Sequence, residues 1–176
     1  MRRKLKTYEM GRLSEKEFQE AKKIPVRVFL DDVRSLLNVG SIFRTCDAFL
    51  IDRLYLSGIT AAPPNREMEK TALGATRTVH WEVVQDPMEK ILELKREGWV
   101  ICAIEQAHES VDLNEFKIEN GKGYLIILGN EVHGVNEAIM ALADVILEIP
   151  QAGTKHSLNV SVSAGMVLWE FFKRLK

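Results

Sequence analysis

With 176 residues, 46% of them hydrophobic and 28% charged, the chain is long enough for one well-cored domain and short for two. Its net charge of −1 excludes a global basic field, so any phosphate-rich partner must be met locally. No run is long and apolar enough to span a bilayer, and the basic start lacks the apolar stretch of a secretory leader. Two cysteines without metal-type spacing, Cys46 and Cys102, then fit a reduced, cytoplasmic protein with buried thiols.

The first twelve residues set Arg2, Arg3, Lys4, Lys6 and Arg12 against a single acid, Glu9, which suits either a solvated terminus or a phosphate contact. Ser14 followed three residues later by Glu17 predicts a capping box and a short helix ending before Pro25. Residues 1–24 therefore read as an accessory segment and 25–176 as the main domain. Val26 to Leu30 is the first buried-type strand, and it closes on Asp31 and Asp32. Leu36, Leu37, Val39, Ile42, Phe43, Cys46 and Phe49 then recur at helical spacing and place Arg44 on a helix. Asn38 and Gly40, near its start, are expected to admit a ligand closely.

Leu54 to Leu56 predicts the next strand, and the proline-rich loop Thr60 to Arg66 is long enough for a lid or an RNA contact. The segment from Lys70 to Arg77, small residues with scattered positive charge, suits either phosphate contacts at the pocket or a solvated connection. Val79 to Val84 is a strand, Asp86-Pro87 opens a helix that stops at Gly98, and Trp99 to Ile104 is a further strand with Glu105, Gln106 and His108 beyond its end. Two more apolar runs follow, Leu125 to Leu128 and Val145 to Ile149, each broken off by a turn signal. The first runs into Gly129-Asn130-Glu131; the second into Pro150-Gln151-Ala152-Gly153, after which Ser157, Leu158 and Asn159 open a long apolar segment. This alternation calls for an α/β fold, a parallel sheet with helices on both faces, and a pocket at the carboxyl ends of its strands. No phosphate loop and no dinucleotide fingerprint is present, and the histidines His80, His108, His133 and His156 lack ligand spacing, so no metal is expected.

Three separated stretches carry a more specific signal: Asn38-Val39-Gly40-Ser41-Ile42-Phe43-Arg44, then LGNEVHGV, then IPQAGTKHSLNVSVSAGMVLWE. In this order they resemble the three motifs of the SpoU/TrmH family of the SPOUT superfamily, S-adenosylmethionine-dependent RNA 2′-O-ribose methyltransferases. The likeness runs from about Val26 to the C-terminus. Spacing alone draws an ordinary open sheet, because knotted chains are nearly absent among proteins. The resemblance implies a deep C-terminal trefoil knot instead, and a homodimer whose site is completed at the interface. It implies S-adenosylmethionine held around Leu128, Gly129, Ile149, Leu158 and Asn159. Asn38, Arg44, Glu131, Ser157 and Asn159 match the family's polar catalytic positions.

The text is similar to the branch that methylates a D-loop guanosine of tRNA, with ribosomal RNA as the alternative substrate. A non-catalytic knotted RNA-binding or assembly protein is the competing class. Family accounts give the arginine a part in activating the hydroxyl. A guanidinium hardly ever releases its proton, so the expectation here is that Arg44 grips phosphate with its fork while the proton leaves through Glu131, a phosphate oxygen or water.

Overall fold

In the computed structural model, which describes residues 2–176, seven strands form one sheet in the order β3-β2-β1-β6-β4-β7-β5, every neighbouring pair parallel. The strands are β1 (Ile24–Asp31), β2 (Ile51–Ser57), β3 (Trp81–Val84), β4 (Val100–Ile104), β5 (Val111–Asp112), β6 (Tyr124–Leu128) and β7 (Val145–Glu148). The helices are α1 (Glu15–Glu20), α2 (Leu36–Ala48), α3 (Arg66–Ala72), α4 (Ala75–Thr78), α5 (Pro87–Arg96), α6 (Glu137–Met140) and α7 (Val160–Leu175). Residue 1 of the expected accessory segment lies outside the described residues.

Side chains alternate across a strand, so a sheet covered on both sides sorts its apolar residues by parity. Val26, Val28 and Leu30 of β1 join Tyr124, Ile126 and Leu128 of β6 in one core under α2, α3, α4 and α7. Phe29 of β1 and Leu125 and Ile127 of β6 face the opposite core, closed by Ile91 and Leu94 of α5 and Ile139 of α6. The expected helices on both faces are thus present. α7 fills the larger core: Phe171 is fully buried and its ring meets Tyr124 edge-on at 5.1 Å. Both cysteine thiols are buried, as expected, and burial pushes each well above its ordinary pKa.

The capping chemistry agrees with the sequence. Ser14 and Glu17 form the reciprocal capping box of α1, Asp86 caps α5 ahead of Pro87, and Asn159 caps α7. Three features differ. The Lys70 to Arg77 segment is two short helices, α3 and α4, whose small residues let them pack on α2; four to seven residues are too few to show a clear period. Gly40 admits no ligand: a Cβ there would run into the Met68 carbonyl and the Thr71 hydroxyl, so its bare backbone serves helix packing. The start of the proline-rich loop is no free lid, because Thr60 is buried and its hydroxyl accepts from the Val33 amide at 2.9 Å.

Candidate functional site

The sheet order reverses beside β1, because β2 and β3 lie to one side of it and β6, β4 and β7 to the other. Loops leaving such strands diverge, and a crevice opens at the carboxyl ends. A cavity of about 420 Å³ sits there, at the ends of β4, β6 and β7. Its apolar wall is Ile104, Leu128, Leu147, Ile149 and Leu158; its polar groups come from Glu105, Gln106, Asn130, Glu131, Gln151, Ser157, Asn159 and Ser163.

The loop after β6 is a tightly tied turn. Asn130 and Gly134 exchange backbone hydrogen bonds at 3.0 and 2.9 Å, and the Asn130 side-chain oxygen accepts from the amides of Val132 and His133 at 2.9 and 3.1 Å. Its amide nitrogen donates to the Asp32 carbonyl at 2.7 Å, anchoring the turn to the end of β1. Gly129 is the close-approach point, because a Cβ there would strike the backbone of Gly134 and Val135. Buried Asp31 accepts from the Asn136 amide at 2.9 Å and fixes the loop's far end. Burial raises its pKa, the Asn136 amide opposes that, and the neighbouring Asp32 charge adds to the rise.

Glu131 reaches out of this turn to the start of α2. Its carboxylate accepts from the amides of Arg34 and Ser35, each at 2.9 Å, and from the Asn38 side-chain nitrogen at 2.9 Å. Asn38 in turn accepts from the Asn159 side-chain nitrogen at 3.1 Å, while the Asn159 oxygen accepts from the amides of Ser161 and Val162 at the start of α7. Residues from three distant stretches, Asn38, Glu131 and Asn159, therefore form one hydrogen-bonded relay. Burial works against charge on Glu131, but the Arg34 amide, the Asn38 side chain and the Ser35 amide outweigh it and hold the carboxyl below its usual pKa. A carboxylate so engaged is a weak proton acceptor. Its geometry suits holding the loop against α2.

All five residues expected around the donor, Leu128, Gly129, Ile149, Leu158 and Asn159, line the cavity, as do Glu131 and Ser157. Asn38 joins through the relay. Arg44 does not line this cavity: it lies with Ser41, Thr45, Phe49, Lys70, Thr71 and Gly165 along a second groove of about 470 Å³ between α2, α3 and α7. The sequence places Glu105 and Gln106 beyond the end of β4 but assigns them no role, and both belong to the cavity wall. The rule that ligands sit at strand carboxyl ends is the signal that marks them. Among the described residues, no group of three or more His, Cys, Asp or Glu is placed to hold a metal ion.

Known proteins supply a frame for this site. Residues 25–169 match the SpoU rRNA Methylase family. A tRNA (guanosine(18)-2′-O)-methyltransferase of Aquifex aeolicus is 35% identical over 156 residues, which are 88% of this chain and 72% of that protein. A 23S rRNA (guanosine-2′-O-)-methyltransferase RlmB of Neisseria meningitidis is 33% identical over 146 residues, 83% of this chain but only 57% of that one. Among solved structures, the A. aeolicus TrmH/SpoU tRNA modifying enzyme superposes with a TM-score of 0.81 at 33% identity, over 91% of this chain and 81% of that one. An AdoMet-bound rRNA methyltransferase from Sinorhizobium meliloti gives 0.80 at 27% identity, over 90% and 60%. Sequence and fold thus agree, and the chain belongs to the SpoU rRNA methylase family.

Proposed function

We propose that this SpoU-family enzyme methylates a ribose 2′-hydroxyl of RNA with S-adenosylmethionine as donor. The observation that carries this reading is the relay Asn159 to Asn38 to Glu131, which ties the three motif stretches into one site beside the cavity. The donor fits that cavity. At about 420 Å³ it has the size of a small-molecule site, and an apolar wall with a polar rim suits an adenine attached to a polar tail. Leu128, Gly129, Ile149, Leu158 and Asn159 would hold it. Bound there, it supplies a methyl group on cationic sulfur, an electrophile for a hydroxyl oxygen.

The protein's own work is alignment and charge. Glu131 and Asn38 keep the β6 turn and α2 in register, and Ser157 faces the cavity from the loop before α7. Arg44, whose fork matches phosphate, positions the nucleotide and stabilises the developing oxyanion. Its place in the second groove, with Lys70 and two threonines, fits a phosphate grip better than proton abstraction. The hydroxyl proton leaves through a phosphate oxygen or water.

A groove and a cavity that are separate within one chain favour a homodimer that brings Arg44 to the partner's donor site. Val162, Met166 and Trp169, at i, i+4 and i+7 of α7, are 46%, 45% and 50% exposed, and Leu37 of α2 is 47% exposed. Gly165 lies within the same helix, and among the described residues nothing lies within 4 Å of where its Cβ would sit, so a second backbone has room to approach. The C-terminal trefoil knot is part of the reading. Its support is that the chain leaves β7, two strands beyond β6, and returns past the tied β6 turn to lay α7 on α2 and β1. The main domain is residues 25–176, and residues 1–24, docked through α1 on α4, serve as a basic accessory segment.

The substrate class is tRNA, on the strength of the Aquifex relative; ribosomal RNA is the second reading, favoured by the Neisseria relative. The cytoplasm is where these substrates would be met. The test is transfer of labelled methyl from S-adenosylmethionine to unmodified total tRNA and, separately, ribosomal RNA, with Arg44→Ala beside the wild type. Ribose-methylated nucleoside from tRNA, absent in the variant, is expected. Label only in ribosomal RNA keeps the chemistry and overturns the tRNA assignment. No label and no donor binding would leave a knotted RNA-binding protein.

A further inference from the structure

The cavity has two carboxylates, and their surroundings differ. Both oxygens of Glu131 are committed to the start of α2. Glu105, at the end of β4, accepts from the Val135 amide at 3.1 Å through one oxygen and from the Gln106 amide at 2.9 Å through the other. A carboxylate offers about four lone-pair sites, so each Glu105 oxygen keeps one acceptor position. The side chain is only partly buried and lines the cavity, so those positions lie within reach of a ligand there. The two backbone contacts also fix where the carboxylate points, and Gly134, at φ +70°, brings its bare backbone against the Glu105 carboxylate.

Glu105 directly follows Ile104, which belongs to the apolar wall with Leu147, Ile149 and Leu158. An adenine placed against that wall has its ribose one bond away, whereas the amino-acid end of the donor lies several bonds farther along. We propose that Glu105 is a donor-specificity residue whose carboxylate accepts hydrogen bonds from the ribose hydroxyls of the adenosyl group. A carboxylate at the end of a parallel strand meeting a ribose diol is the same chemistry by which dinucleotide sites recognise their sugar. The proposal rests on the donor reading above and adds to it the group that selects a ribonucleoside over its deoxy counterpart.

The experiment is calorimetric titration of wild type, Glu105→Gln and Glu105→Ala with S-adenosylhomocysteine, its 2′,3′-dideoxy analogue and 5′-methylthioadenosine. Glu105→Gln keeps an oxygen for the Val135 amide, and melting curves establish that each variant is folded. Wild type should bind the dideoxy analogue roughly 10- to 100-fold more weakly than S-adenosylhomocysteine, the effect of at least one charge-assisted hydrogen bond. In Glu105→Ala that gap should close to less than about threefold, and methylthioadenosine should weaken by the same factor as S-adenosylhomocysteine.

An undiminished gap in both variants overturns the proposal and leaves Glu105 as a support for the β6 turn. A loss seen with S-adenosylhomocysteine and absent with methylthioadenosine overturns it too, in favour of the ammonium end. Wild type that binds none of the three sinks the donor reading itself, a result distinct from either of the others.

Discussion

Replacing Glu131 by glutamine separates holding the site together from doing chemistry in it. The carboxylate accepts three hydrogen bonds: the Ser35 amide and the Asn38 side chain on one oxygen, the Arg34 amide on the other. Glutamine keeps one oxygen for the first two donors but turns an NH2 group toward the third. At least one charge-assisted hydrogen bond is lost, at a cost of about 1.5–3 kcal/mol, the lower half applying because the group is partly solvated. For a domain of this size that lowers Tm by roughly 3–9 °C.

The pH dependence carries a second signature. The folded-state pKa of Glu131 is depressed, so its contribution is present above the unfolded value, near about 4.3, and is lost as pH falls through the folded value. The Tm difference between wild type and Glu131→Gln should therefore be full at pH 7 and shrink below about pH 4. Calorimetric melts at both pH values, beside turnover on RNA, make the measurement. An unchanged Tm with turnover abolished would refute the positional role and return Glu131 to the list of bases.

Gly129→Ala should disturb donor binding more than folding. The new methyl meets backbone that cannot rotate away, so the turn must shift at a cost of about 1–3 kcal/mol, while affinity for S-adenosylhomocysteine in a titration falls at least tenfold. Equal affinity in the variant would show that the turn does not shape the cavity. Met166→Glu tests the dimer: an isologous interface loses two buried methionines, about 3 kcal/mol or more, which raises the dimer dissociation constant on the order of 100-fold. Sedimentation equilibrium reads this, and a wild type that is monomeric at assay concentrations would remove the interface. Arg44→Lys keeps the charge and loses the fork; turnover should fall at least tenfold with Tm unchanged within a degree, and near-full turnover would show that bidentate geometry is not needed.

Periodicity and punctuation alone placed the six longer strands, the capped starts of α1 and α5, and the amphipathic α2, because those signals are local. They missed β5, two residues long, the short helices α3 and α4, which pack on α2, and α6, which packs on α5. They also gave Gly40 a ligand where tertiary structure gives it a helix, since a bare backbone serves either neighbour equally well.

The motif residues were legible one by one; what joins them was not. Asn38 and Glu131 stand 93 positions apart, and Asn38 and Asn159 stand 121 apart, distances over which sequence carries no geometry. Only the pairing of β6 with β1 and the docking of α7 on α2 put them in hydrogen-bond contact, while Glu105 comes to the cavity wall and Arg44 to a different groove. Side-chain type fixes what each residue is able to do; the sheet order β1-β6-β4-β7 decides which of them meet.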